Sequence, residues 1–147
     1  MKTNMKPAIM GLGIVSLLVA AWLGYSARDA RGGGKLETRV FEMRTYYAHK
    51  GKMQALHARF RNHTNKLFVK HGMTLIGYWS PIDPKQAEEK MVYILAYPSK
   101  EAAAKSWEGF RKDPEWLAAR AASEKDGPLV AKVESVYLNP TDYSPIK

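Results

Sequence analysis

Residues 40–47 alternate in polarity: Phe41, Met43, Thr45 and Tyr47 fall on one face of an extended segment, Glu42, Arg44 and Tyr46 on the other. A side-chain period of two, with aromatic and β-branched residues, predicts a first strand. Gly51 breaks it, and over residues 52–71 the spacing becomes helical, with Met53, Leu56, Phe60, Leu67 and His71 on one stripe. Gly72 stands where a left-handed helix C-cap is expected. Residues 73–80, "MTLIGYWS", predict a second strand, closed by the turn-rich "PIDPKQ". Residues 91–97, "MVYILAY", are apolar almost without interruption, the pattern of a strand covered on both faces. Ser99 is an N-cap that opens a helix to about Arg111, and Asp113-Pro114 restarts it to about Lys125. Gly127-Pro128 stops that piece, residues 129–138 form a last strand, and "NPTDYSPIK" is turn chemistry.

The order strand, helix, strand, strand, helix, strand predicts an α+β ferredoxin-like βαββαβ fold, a four-stranded antiparallel sheet with both helices on one face. Helices then cover one sheet face only, whereas the third strand is apolar on both, and Trp79, Tyr93 and Tyr97 add aromatic surface. Such a face is too apolar to leave wet. The expected cover is a second copy, sheet against sheet, giving a homodimer closed as an α/β barrel. In that arrangement Glu42, Arg44 and Tyr46 need partners within the protein, across the dimer or from a ligand.

The N-terminal pattern is different. Residues 8–27 carry no charge, with Lys2 and Lys6 before them and Arg28 and Arg31 after. That layout is an export signal or a single membrane anchor, residues 1–27, since a spanning helix needs about 20 apolar residues. The glycines of "RGGGK" make residues 28–37 a flexible linker, and the folded domain occupies residues 38–147. The expected location is outside the cytoplasmic membrane: exported, periplasmic or anchored, with the N-terminal segment contacting the membrane.

Composition narrows the classes. The net charge is +9, but before Leu36 five cations face Asp29 alone, so four of the nine excess charges lie outside the domain. The remainder is spread over helix surfaces without a basic stripe or a reading module, which argues against nucleic acid as a partner. The chain has no cysteine, which removes disulfides and thiolate metal sites. It has no glycine-rich phosphate loop, G-x-S-x-G elbow or histidine-rich metal motif.

In "FEMRTYY" followed by "GKM", "KHG" followed by "GYW", "VYILAY" before "DPEW", and the closing "NPTDYSP", the chain resembles the NIPSNAP family, within the wider dimeric α/β-barrel group. These pieces occur in order from Phe41 to Pro145. The resemblance implies a dimeric ferredoxin-like barrel and little about activity. Related barrels include haem-binding and haem-degrading proteins, monooxygenases acting on small aromatic substrates, and proteins without known catalysis.

Two polar residues and an aromatic set are the candidates for a site. His63 falls inside the apolar stripe of the first helix, where it is either a satisfied core histidine or a lone imidazole in a cavity, able to bind ligand, act as a base or ligate haem iron. No two histidines are spaced to converge on a metal, so none is expected, and no cofactor is expected apart from the haem alternative. Arg44 either pairs with Glu42, two residues away, or offers its fork of donors to the oxyanion of a small ligand. Tyr46, Trp79, Tyr93 and Tyr97 are sheet aromatics that fill a core or wall a pocket for an aromatic ligand. Trp107 and Trp116 read as packing residues, and His71 as a partner of the last carbonyls of its helix. The leading expectation is therefore a dimeric, exported or membrane-tethered domain binding a small, partly apolar ligand or a protein partner. The alternative is an enzyme, either a cofactor-free monooxygenase or a haem protein.

Overall fold

The computed structural model describes residues 39–147 together with Met1. The apolar run and the linker therefore lie outside the described residues, and among those described no helix is long and apolar enough to cross a membrane. The elements are β1 (Val40–Ala48), α1 (Met53–Arg59), a π-helical turn (Phe60–Thr64), α2 (Asn65–Lys70), β2 (Thr74–Trp79), α3 (Pro84–Glu89), β3 (Lys90–Tyr97), α4 (Lys100–Lys112), α5 (Pro114–Ser123) and β4 (Val130–Leu138). The strands form one sheet in the order β2-β3-β1-β4, every neighbouring pair antiparallel. This is the ferredoxin-like fold that the periodicity predicts, with the helical layer on one face.

Two local features differ from the sequence expectation. "PIDPKQ" is not only a turn, because Asp83 accepts a hydrogen bond from the Gln86 amide at 2.9 Å and caps α3 with proline in its first turn. That is the same device by which Asp113-Pro114 opens α5. The first helix is also not uniform. Its middle is a π-turn, in which the Asn65 amide bonds back to the Phe60 carbonyl and Thr64 Oγ1 donates to the Arg59 carbonyl at 3.2 Å. Gly72, at φ 78°, ends this rod in the left-handed conformation that glycine adopts without steric cost.

The core lies between rod, α4 and sheet: Leu56, Phe60, Leu67 and Phe68 meet Tyr93 and Leu95, with Trp107 and Phe110 closing it. Burying each such side chain stabilises by about 1.5–3 kcal/mol. The sheet face away from the helices is half open, with Met43 36% and Val136 46% exposed. It divides in two. Its apolar end includes Phe41 and Leu138 beside the C-terminal tail, which is held where Arg39 Nε donates to the Lys147 carbonyl at 2.7 Å. At the polar end Glu134 accepts from Tyr47 Oη at 3.1 Å and from Lys132 Nζ at 2.6 Å.

Candidate functional site

The alternation of β1 sends Glu42, Arg44 and Tyr46 toward the helices. Glu42 is buried, 1% exposed, and four donors reach it. Its Oε1 accepts from Arg44 Nη1 and from Ser135 Oγ, each at 2.6 Å. Its Oε2 accepts from Tyr97 Oη at 2.9 Å and from Trp107 Nε1 at 2.6 Å. A carboxylate has about four acceptor positions, so this one is saturated. Burial pushes the Glu42 pKa up, but the bonds from Ser135, Trp107 and Arg44 outweigh it and hold the carboxyl below its ordinary value. The same burial and contact with Glu42 push the Tyr97 hydroxyl far up, so it remains a donor.

Arg44 is less completely engaged. Its guanidinium lies 4.2 Å from the Trp107 ring centroid and 5.6 Å from that of Tyr46, within cation–π range of both. Only Nη1 bonds to Glu42, and Nε is buried with no partner. Burial works against its charge, but Tyr93, Tyr46 and Glu42 more than compensate, and the group stays cationic.

Register extends the cluster across the whole sheet. Arg44 pairs with Ser135 on one side and with Tyr93 on the other, and Tyr93 pairs with Tyr78. Ser135, Arg44, Tyr93 and Tyr78 therefore form one polar row across β4, β1, β3 and β2 on the helix side of the sheet, running from the exposed Ser135 to the fully buried Tyr93 and on to Tyr78. In this row Arg44 Nε, Tyr93 Oη and Tyr78 Oη are all buried without hydrogen-bond partners. Each such orphan costs about 1–3 kcal/mol unless something satisfies it. Burial, with Tyr46 next, keeps the Tyr93 hydroxyl protonated well above its ordinary pKa. Burial raises that of Tyr78 to about 12.

The six candidates do not converge. Arg44, Tyr46, Tyr93 and Tyr97 share the helix-facing side, where the Tyr46 and Tyr93 rings meet edge to face at 5.3 Å. Trp79 lies on the opposite side, 51% exposed and folded over Gly77, where an added Cβ would sit 2.6 Å from its ring. His63 is exposed. The π-turn shifts the helical phase so that Thr64, 2% exposed, takes the inward place the α-period assigns to His63. His63 borders instead a shallow groove with Ala58, Arg59 and Ala119 on the outside of the helical layer. A haem ligated there would lie outside the helix–sheet interior, so the residues present do not fit that alternative.

Trp107 and Ser135 are the members that periodicity missed. A tryptophan whose ring is buried needs an acceptor for its N–H, and that was the available signal; nothing local marks Ser135. His71 also differs from expectation, pairing through Nε2 with Asp113 Oδ2 at 2.7 Å rather than with its own helix end. Asp113 takes Lys70 as well, at 2.9 Å, and Lys70 and His71 hold its carboxyl well below the ordinary range.

A ferredoxin-like α+β domain with a charged and hydroxylated row under its helices is the class that this geometry defines. The chain belongs to the NIPSNAP family, which it matches over residues 41–145. It is similar to a NIPSNAP family protein of unknown function from Agrobacterium tumefaciens, with 22% identity over 76% of this chain and 96% of that one, TM-score 0.65. It is similar also to an uncharacterized NIPSNAP-like domain protein from Burkholderia xenovorans, with 19% identity over 74% and 90% of the two chains, TM-score 0.63. SnoaB, a cofactor-independent oxygenase from Streptomyces nogalater, shares 14% identity over 74% of this chain and 98% of its own, TM-score 0.51. At such identities these structures establish the fold alone. No curated protein matches the chain.

Proposed function

We propose that this NIPSNAP-family domain is a ligand-binding homodimer, exported or held at the cytoplasmic membrane by its N-terminal segment. Its ligand is small and partly apolar and carries an oxyanion anchored by Arg44. The observation that carries this reading is the in-register row in which Arg44 Nε and Tyr93 Oη are buried without partners, the first of them on a fixed guanidinium. A ligand oxyanion supplies the acceptor that Arg44 Nε lacks, and the Tyr46 and Trp107 rings supply apolar walls. The half-exposed apolar end of the outer sheet face supports pairing with a second copy. The charge-free run of residues 8–27 between cationic flanks supports export or tethering.

A cofactor-free oxygenase, the activity in the name of SnoaB, is the second reading. It is less well supported, because the row has no free base. Glu42 is saturated by four donors, and Tyr93 and Tyr97 keep their protons at neutral pH.

The test is a titration with cyclohexanecarboxylate, following the side-chain N–H resonances of Arg44 and Trp107. Arg44→Lys keeps the charge beside Glu42 and removes the fork, so it should weaken binding about tenfold, or ~1.4 kcal/mol. Saturable shifts confined elsewhere, or binding equal in the variant, would refute the assignment.

A further inference from the structure

A cavity of about 240 Å3 lies between the helical rod and the end of β2, and Arg44 does not line it. His57, Arg61 and Asn65 border it from the rod. Their spacing is four, and in a regular α-helix each step of four overshoots a full turn by about 40°, which spreads such residues around the helix. The wider π-turn over Phe60–Thr64 takes up that drift, so all three face one space. Single π-turns of this kind are frequent at functional sites.

The polar groups at this cavity are incomplete. Asn65 Oδ1 and Tyr78 Oη are both buried and have no hydrogen-bond partner. Arg61 is exposed at the rim, and no carboxylate lines the cavity. Phe60 and Met91 supply the apolar wall, and Trp79, whose ring turns to the other sheet face over Gly77, borders the cavity at its edge. His57 is held below its ordinary pKa, first by burial and then by Arg61, so it is neutral at neutral pH and adds no second cation.

We propose that this cavity is a second ligand site, for a single-ring aromatic acid that carries a hydroxyl group. The carboxylate meets Arg61 at the rim, the ring lies against Phe60 and Met91, and the hydroxyl donates to Asn65 Oδ1 beside Tyr78 Oη. The volume decides the size class. Pockets for drug-sized ligands occupy roughly 300–1,000 Å3, so about 240 Å3 admits one ring and not a fused system. The site goes beyond the Arg44 reading, since neither Arg44 nor Glu42 takes part.

Titration of the full chain with 4-hydroxybenzoate, by calorimetry and by NMR of the Asn65 side-chain amide, tests the proposal. The expected result is saturable binding that shifts the Asn65 amide. It should weaken about tenfold in Arg61→Gln and again in Tyr78→Phe, with benzoate, lacking the hydroxyl, about tenfold weaker than the probe. Both variants are mild: Arg61 is exposed, and phenylalanine retains the stacking of residue 78 on Tyr93 at 5.5 Å. Absence of saturation, or affinity untouched by both substitutions in variants with native circular dichroism, overturns the site.

Discussion

The two faces of β1 invert the usual logic of a half-buried strand. The inward face carries Glu42, Arg44 and Tyr46, and the outward face carries Phe41, Met43, Thr45 and Tyr47. In an antiparallel sheet with one wet side, apolar residues normally point in and polar ones out. Here the charges lie under the helices while Met43 and Val136 stand at the surface. The inner face tolerates its charges because Glu42 is bonded to four donors, whereas the C-terminal tail borders only the Phe41 and Leu138 end of the outer face and leaves Met43 and Val136 open. Each face is therefore incomplete in its own way, the inner one lacking acceptors and the outer one only partly covered.

The strongest way to break this contrast is Glu42→Ala, which strands the Arg44 charge in a buried site together with three neutral donors. The expected loss is about 3–5 kcal/mol in denaturant unfolding. A loss under about 1 kcal/mol would mean that water already satisfies Arg44.

Acid titration acts on the same face more gently. Glu42 and Asp113 have ordinary values of 4.5 and 3.8 and are both lowered in the fold. The unfolded chain therefore takes up protons first as pH falls. The stability these groups contribute is complete above their ordinary values and is lost on the way down through their folded ones. Urea midpoints measured from about pH 7 to about pH 3 should fall, and Glu42→Gln should flatten part of that slope. An unchanged slope would remove Glu42 as a source of acid sensitivity.

The outer face is sharpened by Met43→Asp. In sedimentation the wild-type chain should be a dimer at micromolar concentration, and the variant should dissociate at least about tenfold more readily while keeping its circular dichroism. A monomeric wild type would remove the second copy from the argument.

Periodicity and element order were enough to place the four strands and their antiparallel sheet, and they put Glu42 and Arg44 on one face, where their pairing was one of two readings, because these depend on a side-chain period of two and on neighbours in sequence. It also gave Gly72 and the Asp113-Pro114 start their chemistry, whereas Asp83-Pro84, which opens a helix in the same way, read as turn. What it could not carry was phase. One residue in excess within the rod moves Thr64 inward and His63 outward, and no local signal marks where an α-helix widens. The donors Trp107 and Ser135 reach Glu42 across separations of 65 and 93 residues, so only the folded sheet and α4 bring them together.

The small polar group of Tyr47, Lys132 and Glu134 has a consequence for solubility. β4 is an outer strand of nine residues, exposed from its second residue to its last, and nothing among the described residues pairs with its far side. A long, free strand edge is a template on which other chains can assemble into fibrils. The ion pair between Lys132 and Glu134, 2.6 Å apart, interrupts the mostly apolar sequence near the middle of that edge. An incoming strand would have to strip water from two charges before it could bond there, so the pair acts as a gatekeeper against aggregation.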